Sequence, residues 1–66
     1  MFRIDESIAF FRYTARIFDT ETGLFLNGWD RNGVFLWHET NYEEIGSREG
    51  AKMFVAALER NKIRLT

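Results

Sequence analysis

Two polar, glycine-closed turns limit what this chain can fold into. Asp19-Thr20-Glu21-Thr22-Gly23 and Asp30-Arg31-Asn32-Gly33 are separated only by Leu24–Trp29. Gly23 and Gly33 stand where a left-handed residue closes a turn, and Asp30 suits the first position of a type I turn. Stretches rich in aromatic and β-branched residues flank both turns: Phe10–Phe18 before them, Leu24–Trp29 between them, Val34–Glu39 after them. Two tight turns in succession predict a three-stranded antiparallel meander.

A helix follows in the expected order. Ser47 is a natural N-cap and Glu49 suits the positive end of a helix dipole. Ala51, Phe54, Val55 and Leu58 recur at helical spacing, and Met53, Ala56 and Ala57 widen the apolar stripe. Asn61 is an acceptable C-cap position, after which Ile63-Arg64-Leu65 offers a short edge strand. Residues 1–9 read two ways. Met-Phe-Arg-Ile begins a strand, or Asp5 caps one or two helical turns through Ser7, Ile8 and Ala9. The fold class is therefore α+β, a single domain over 1–66. Its meander carries one C-terminal helix on one face, with room for a short extra element at either end.

Size makes the core demanding. A domain of about 60 residues buries only ~60% of the surface its unfolded chain exposes. The 66 residues include no cysteine and a single histidine, so neither disulfides nor a thiolate zinc site can staple them. The chain's seven Phe, two Trp and two Tyr fit this need for large core side chains. No run approaches the ~20 apolar residues of a membrane span. The first residues lack the basic and apolar regions of a signal peptide. A cytoplasmic domain that does not enter a membrane is the expectation.

Alternation along the strands sorts side chains onto two faces. With Asp19 opposite Leu24 and Trp29 opposite Phe35, one face collects Tyr13, Ala15, Ile17, Leu24, Leu26, Gly28, Val34, Leu36 and His38. That aliphatic face suits the helix. The other collects Arg12, Thr14, Arg16, Phe18, Phe25, Asn27, Trp29, Phe35 and Trp37, a surface of rings and guanidinium groups. It reads as an exposed interaction site, as a second core layer under Phe2, Ile4 and Ile8, or, between these, as a patch those residues partly cover. A bulge that slips the register by one residue would exchange members between the faces.

Sites of chemistry are weak by comparison. His38 stands beside Glu39 but near no recognisable nucleophile, which favours a structural role. Asp30-Arg31-Asn32-Gly33 is a fragment of a calcium loop without its downstream ligand, and a hairpin turn explains it better. Gly46-Ser47-Arg48-Glu49-Gly50 lacks the spacing and lysine of a phosphate loop. No catalytic, cofactor or metal residue is expected. The acidic residues Asp19, Glu21, Asp30, Glu39, Glu43 and Glu44 lie at the turns and the connecting loop, opposite a basic C-terminal end.

The expected function is a non-catalytic protein-binding module, a small adaptor or inhibitor that occludes its partner. In style such a chain resembles the accessory inhibitors and regulators of phages and mobile elements. Partner contact is expected at Arg12, Arg16, Phe25, Trp29, Phe35 and Trp37, residue types enriched at interfaces. A homodimer through the same face is the simplest partner. The alternative is a nucleic-acid-binding domain that stacks bases on the Arg/aromatic face, and the formal net charge of −1 weighs against it.

Overall fold

The computed structural model describes the backbone of residues 1–65 and the side chains of residues 1–60. Four strands precede one helix: β1 (Phe2–Ala9), β2 (Arg12–Asp19), β3 (Leu24–Trp29), β4 (Phe35–His38) and α1 (Arg48–Leu65). The strands form one antiparallel meander in the order β1-β2-β3-β4. The extra element is thus N-terminal, and residues 2–9 extend the sheet edge instead of folding across its aromatic face. Residues 63–65 continue the helix rather than pairing as an edge strand. The expected first strand begins at Arg12 and not at Phe10, because Phe10 and Phe11 form the β1–β2 turn.

Local chemistry explains the ends of the elements. Asp30 Oδ1 accepts from the backbone N–H groups of Asn32 (2.8 Å) and Val34 (3.0 Å). Gly33 then closes the turn at φ +78°. Ser47 Oγ accepts from Gly50 N–H at 3.0 Å, as an N-cap does.

The core sits between the sheet and α1. Ala15, Ile17, Leu26, Ile45, Ala51 and Leu58 are buried, and Phe2, Ile4, Tyr13, Phe35, Trp37, Phe54 and Val55 pack around them. β2 and β3 pair directly only through Phe18↔Phe25 and Asp19↔Leu24. Beyond that they part, and the chain after β4 fills the gap. Glu43 N–H donates to Leu26 C=O at 2.8 Å, while Ile45 exchanges both backbone hydrogen bonds with Ala15 at 2.9 Å. Ile45 is buried by this inserted segment, so a residue outside the regular elements completes the core.

A bulge in β3 redistributes the rings. Trp29 pairs with Phe35 as expected, but Leu26 pairs with Trp37 and Phe25 with His38, so the register slips between Leu26 and Trp29. Gly28 lies inside this slip at φ +91°. One extra residue there returns Trp29 to the side of Leu26 and carries Phe35 and Trp37 with it. Leu36 and Val34, expected beneath the helix, are instead exposed. His38 moves to the outer face opposite Phe25. On the helix side Trp29 and Phe35 lie against Phe54, with centroids 5.4 and 6.4 Å away. Trp37 stacks on Phe2 of the far edge strand at 5.8 Å.

Gly28 tests this account. A Cβ added there meets only Glu43 Oε2, at 3.8 Å, so space is not the obstacle. The left-handed backbone is. Gly28→Ala should cost about 1–3 kcal/mol, measured by chemical denaturation. An unchanged stability would show that the bulge does not require this conformation.

Candidate interaction surface

The outer face of the sheet is built from charges laid on rings. The β1–β2 register sets Arg3 beside Phe18 and Asp5 beside Arg16. Arg3 donates to Asp5 through Nε (2.8 Å) and Nη2 (3.2 Å), and its guanidinium lies 4.6 Å from the Phe18 centroid. Arg16 Nε approaches Asp5 Oδ2, the oxygen that Arg3 Nη2 also engages, at 3.5 Å. The Arg16 guanidinium also lies 4.9 Å from the ring of Phe25 and 5.0 Å from that of Tyr42. Phe25 in turn packs between Phe18 and Tyr42. Cation–π contact and a shared carboxylate thus occupy the groups that would otherwise grip a partner.

The six residues expected at a partner contact divide. Arg12 and Arg16 remain on the outer face with Phe25, and Arg12 ion-pairs with Glu44 at 3.6 Å. Phe35 and Trp37 are core-packing residues on the helix side, moved there by the bulge. Trp29 shares their side yet stays 50% exposed. The single Arg/aromatic patch therefore does not form. His38 caps the turn after β4, its Nδ1 accepting from Thr40 N–H (3.1 Å) and Asn41 N–H (2.9 Å). Among the described residues no three His, Asp or Glu groups converge as metal ligands, and no helix is long and apolar enough to cross a membrane.

The strongest surface feature lies elsewhere. Ala9 pairs with Arg12, leaving Phe10 and Phe11 as a two-residue turn at φ +53° and +61°. Positive φ at both positions is the type I′ geometry, which favours Asn-Gly. A bulky residue in that region is a conformational outlier, costing about 1–3 kcal/mol. Neither ring recovers this by packing, since Phe10 is 98% exposed and Phe11 fully so. Ile8 beside them is exposed as well. Strain and exposed apolar surface coincide at the tip of the longest hairpin.

Magnitudes narrow what this tip can hold. Burying a phenylalanine is worth about 1.5–3 kcal/mol, so two together make a useful anchor for a protein contact. Membrane attachment needs more, because even a myristoyl chain at ~0.8 kcal/mol per CH₂ binds only marginally. Between the hairpin and residues 42–44 lies an open cleft of about 310 Å³, lined by Asp5, Glu6, Ser7, Thr14, Ala15, Arg16, Tyr42 and Glu44. Its lining is mostly polar. The sequence concealed the tip, because Phe-Phe carries no turn signal and continues an apolar run.

Comparison with known protein families, with curated proteins and with solved structures finds no match for this chain. What the chain does must be read from its own geometry.

Asp5 makes the outer face testable by acid. Its carboxyl is held below the ordinary value of 3.8, chiefly by the hydrogen bond from Arg3. Partial burial opposes this lowering, and the charges of Arg3 and Arg16 add to it. A folded value below the unfolded one means stability that is present above pH 3.8 and lost as pH falls through the lower folded value. Wild type should therefore exceed Asp5→Asn in stability at pH 7, with the difference shrinking once pH drops below about 4. Denaturation by urea across that range measures it. Parallel curves would contradict the role given to Asp5.

Proposed function

We propose that this chain is a non-catalytic protein-binding module, a small adaptor or inhibitor that works by occluding part of its partner. The observation that carries the reading is the exposed, left-handed Phe10-Phe11 turn. Strained backbone tends to gather at functional sites because surrounding structure must hold it there. Apolar rings left in water on a rigid element are the material of binding hot spots. The half-exposed Trp29, backed by Phe54, adds a second aromatic contact point on the helix side.

Against the nucleic-acid reading, the arginines around the sheet face already have acidic partners. Arg12 is paired with Glu44, Arg16 with Asp5 and Arg48 with Glu6. Phosphate contact would have to compete with carboxylates already in place, on a chain of net charge −1.

Replacing the tip with the residues its geometry favours separates stability from function. Phe10→Asn with Phe11→Gly should stabilise the domain by about 1–3 kcal/mol through relief of strain. The same variant should lose at least ~2 kcal/mol of partner binding, roughly thirtyfold, if the rings are anchors. Thermal melting and affinity enrichment from the native host, with wild type and variant in parallel, read the two effects. A variant that enriches the same partner with undiminished affinity would remove the support that the tip gives this reading.

A further inference from the structure

We infer that the Phe10-Phe11 tip is a preformed wedge for a concave apolar cleft on a folded protein, so that the chain blocks whatever ligand that cleft serves. This rests on the protein-binding reading above and adds the shape and chemistry of the receiving surface. With Phe10 98% and Phe11 fully exposed, neither ring shields the other, and both stand clear of their own domain. A flat surface would cover only one side of each ring. Walls on both sides are needed, and a single extended peptide does not supply them. The paired strands behind the turn hold the wedge in shape before contact, which lowers the entropy cost of binding.

Charge around the wedge sets the character of the cleft. At its base Arg12 is matched by Glu44 at 3.6 Å, and further back Arg48 is matched by Glu6 at 3.0 Å. These side chains present little net field, so the complementary rim is uncharged and binding should change little with salt. A second copy does not fit the requirement. Two convex tips touch through four rings alone, about 600–1,000 Å² at ~150–250 Å² each. A stable interface needs about 1,200–2,000 Å². The chain's own cleft sets Ala15 and Tyr42 among the charged Asp5, Glu6, Arg16 and Glu44, a poor receptor for two rings. A walled cleft on another protein covers the rings and also the shoulders at Ile8 and Arg12. Concave apolar clefts are where proteins bind small ligands and substrates. Occupying one excludes its ligand, which is inhibition rather than bridging.

The test is photo-crosslinking of the full chain in cells that naturally produce it, with p-benzoylphenylalanine replacing Phe11, and in parallel replacing Trp29. Position 11 should mark one protein, within a cleft lined by apolar side chains. Yield in extract should stay within about twofold between roughly 50 and 500 mM salt. Excess wild-type chain should suppress the crosslink about tenfold, whereas an equal excess of the Phe10→Asn, Phe11→Gly variant should not. Crosslinks from position 11 to lipid, nucleic acid or a second copy of the chain would overturn the inference. A mark on a flat or charged surface, or a strongly salt-dependent one, would overturn the cleft while leaving protein binding intact. Silence at position 11 with a protein marked from position 29 likewise overturns the cleft and keeps protein binding. Silence at both positions rejects the cleft and the protein-binding reading together.

Discussion

The positive φ of Gly28 governs how this domain allots its aromatic residues. Without a bulge, strict alternation would put Trp29, Phe35 and Trp37 opposite the buried Leu26. With it, all three turn toward the helix. The need is clear from what remains buried: Ala15, Ile17, Leu26, Ile45, Ala51 and Leu58 are too few and too small to hold a domain alone. Trp37 on Phe2 and Phe35 on Phe54 supply the missing apolar bulk. One backbone conformation, open mainly to glycine, makes those contacts available.

With those rings gone from the outer face, Arg3, Asp5, Arg16, Phe18, Phe25 and Tyr42 form the cluster packed on it. Among the described residues no second helix covers them, and stability there comes from mutual satisfaction. Each guanidinium lies against a ring and shares the Asp5 carboxylate. Tyr42 reaches this cluster from the segment in which Glu43 and Ile45 hydrogen-bond into the gap between β2 and β3. The inserted segment thus joins the two faces: Ile45 fills the core while Tyr42 caps the surface.

Much of this was legible in the sequence, for local reasons. Asp19, Gly23, Asp30 and Gly33 fold turns through their own backbones, so the hairpins and the pairings Asp19↔Leu24 and Trp29↔Phe35 could be read directly. Ser47 announced the helix in the same way. The α+β meander with its C-terminal helix followed from these signals. The β3 bulge was less accessible, because a glycine within a strand marks a bulge only when tertiary packing asks for one. Ile45 was hidden because its burial depends on β2 and β3 parting, a non-local event. The placement of the candidate site residues shows the same limit. Arg12, Arg16 and Phe25 stayed on the outer face and Trp29 stayed accessible, but a one-residue slip took Phe35 and Trp37 away.

The Phe10-Phe11 turn is the place where local preference and observed structure disagree most. Natural sequences keep local choices consistent with the global fold, and departures concentrate where function demands them. A small, unstapled domain has little stability to spare, so two strained and unpacked phenylalanines weigh heavily at this size. Asn-Gly would form the same turn with less strain. The register of β1 with β2 holds the turn in place through pairs from Phe2↔Asp19 to Ala9↔Arg12, so the hairpin can carry an unfavourable tip without slipping. The strain therefore sits on the one hairpin whose pairing is long and uninterrupted, whereas the β2–β3 and β3–β4 pairings are short or bulged. A rigid hairpin carrying costly apolar rings into solvent is coherent as a binding device, because rigidity and exposure are what an anchor needs before its partner arrives.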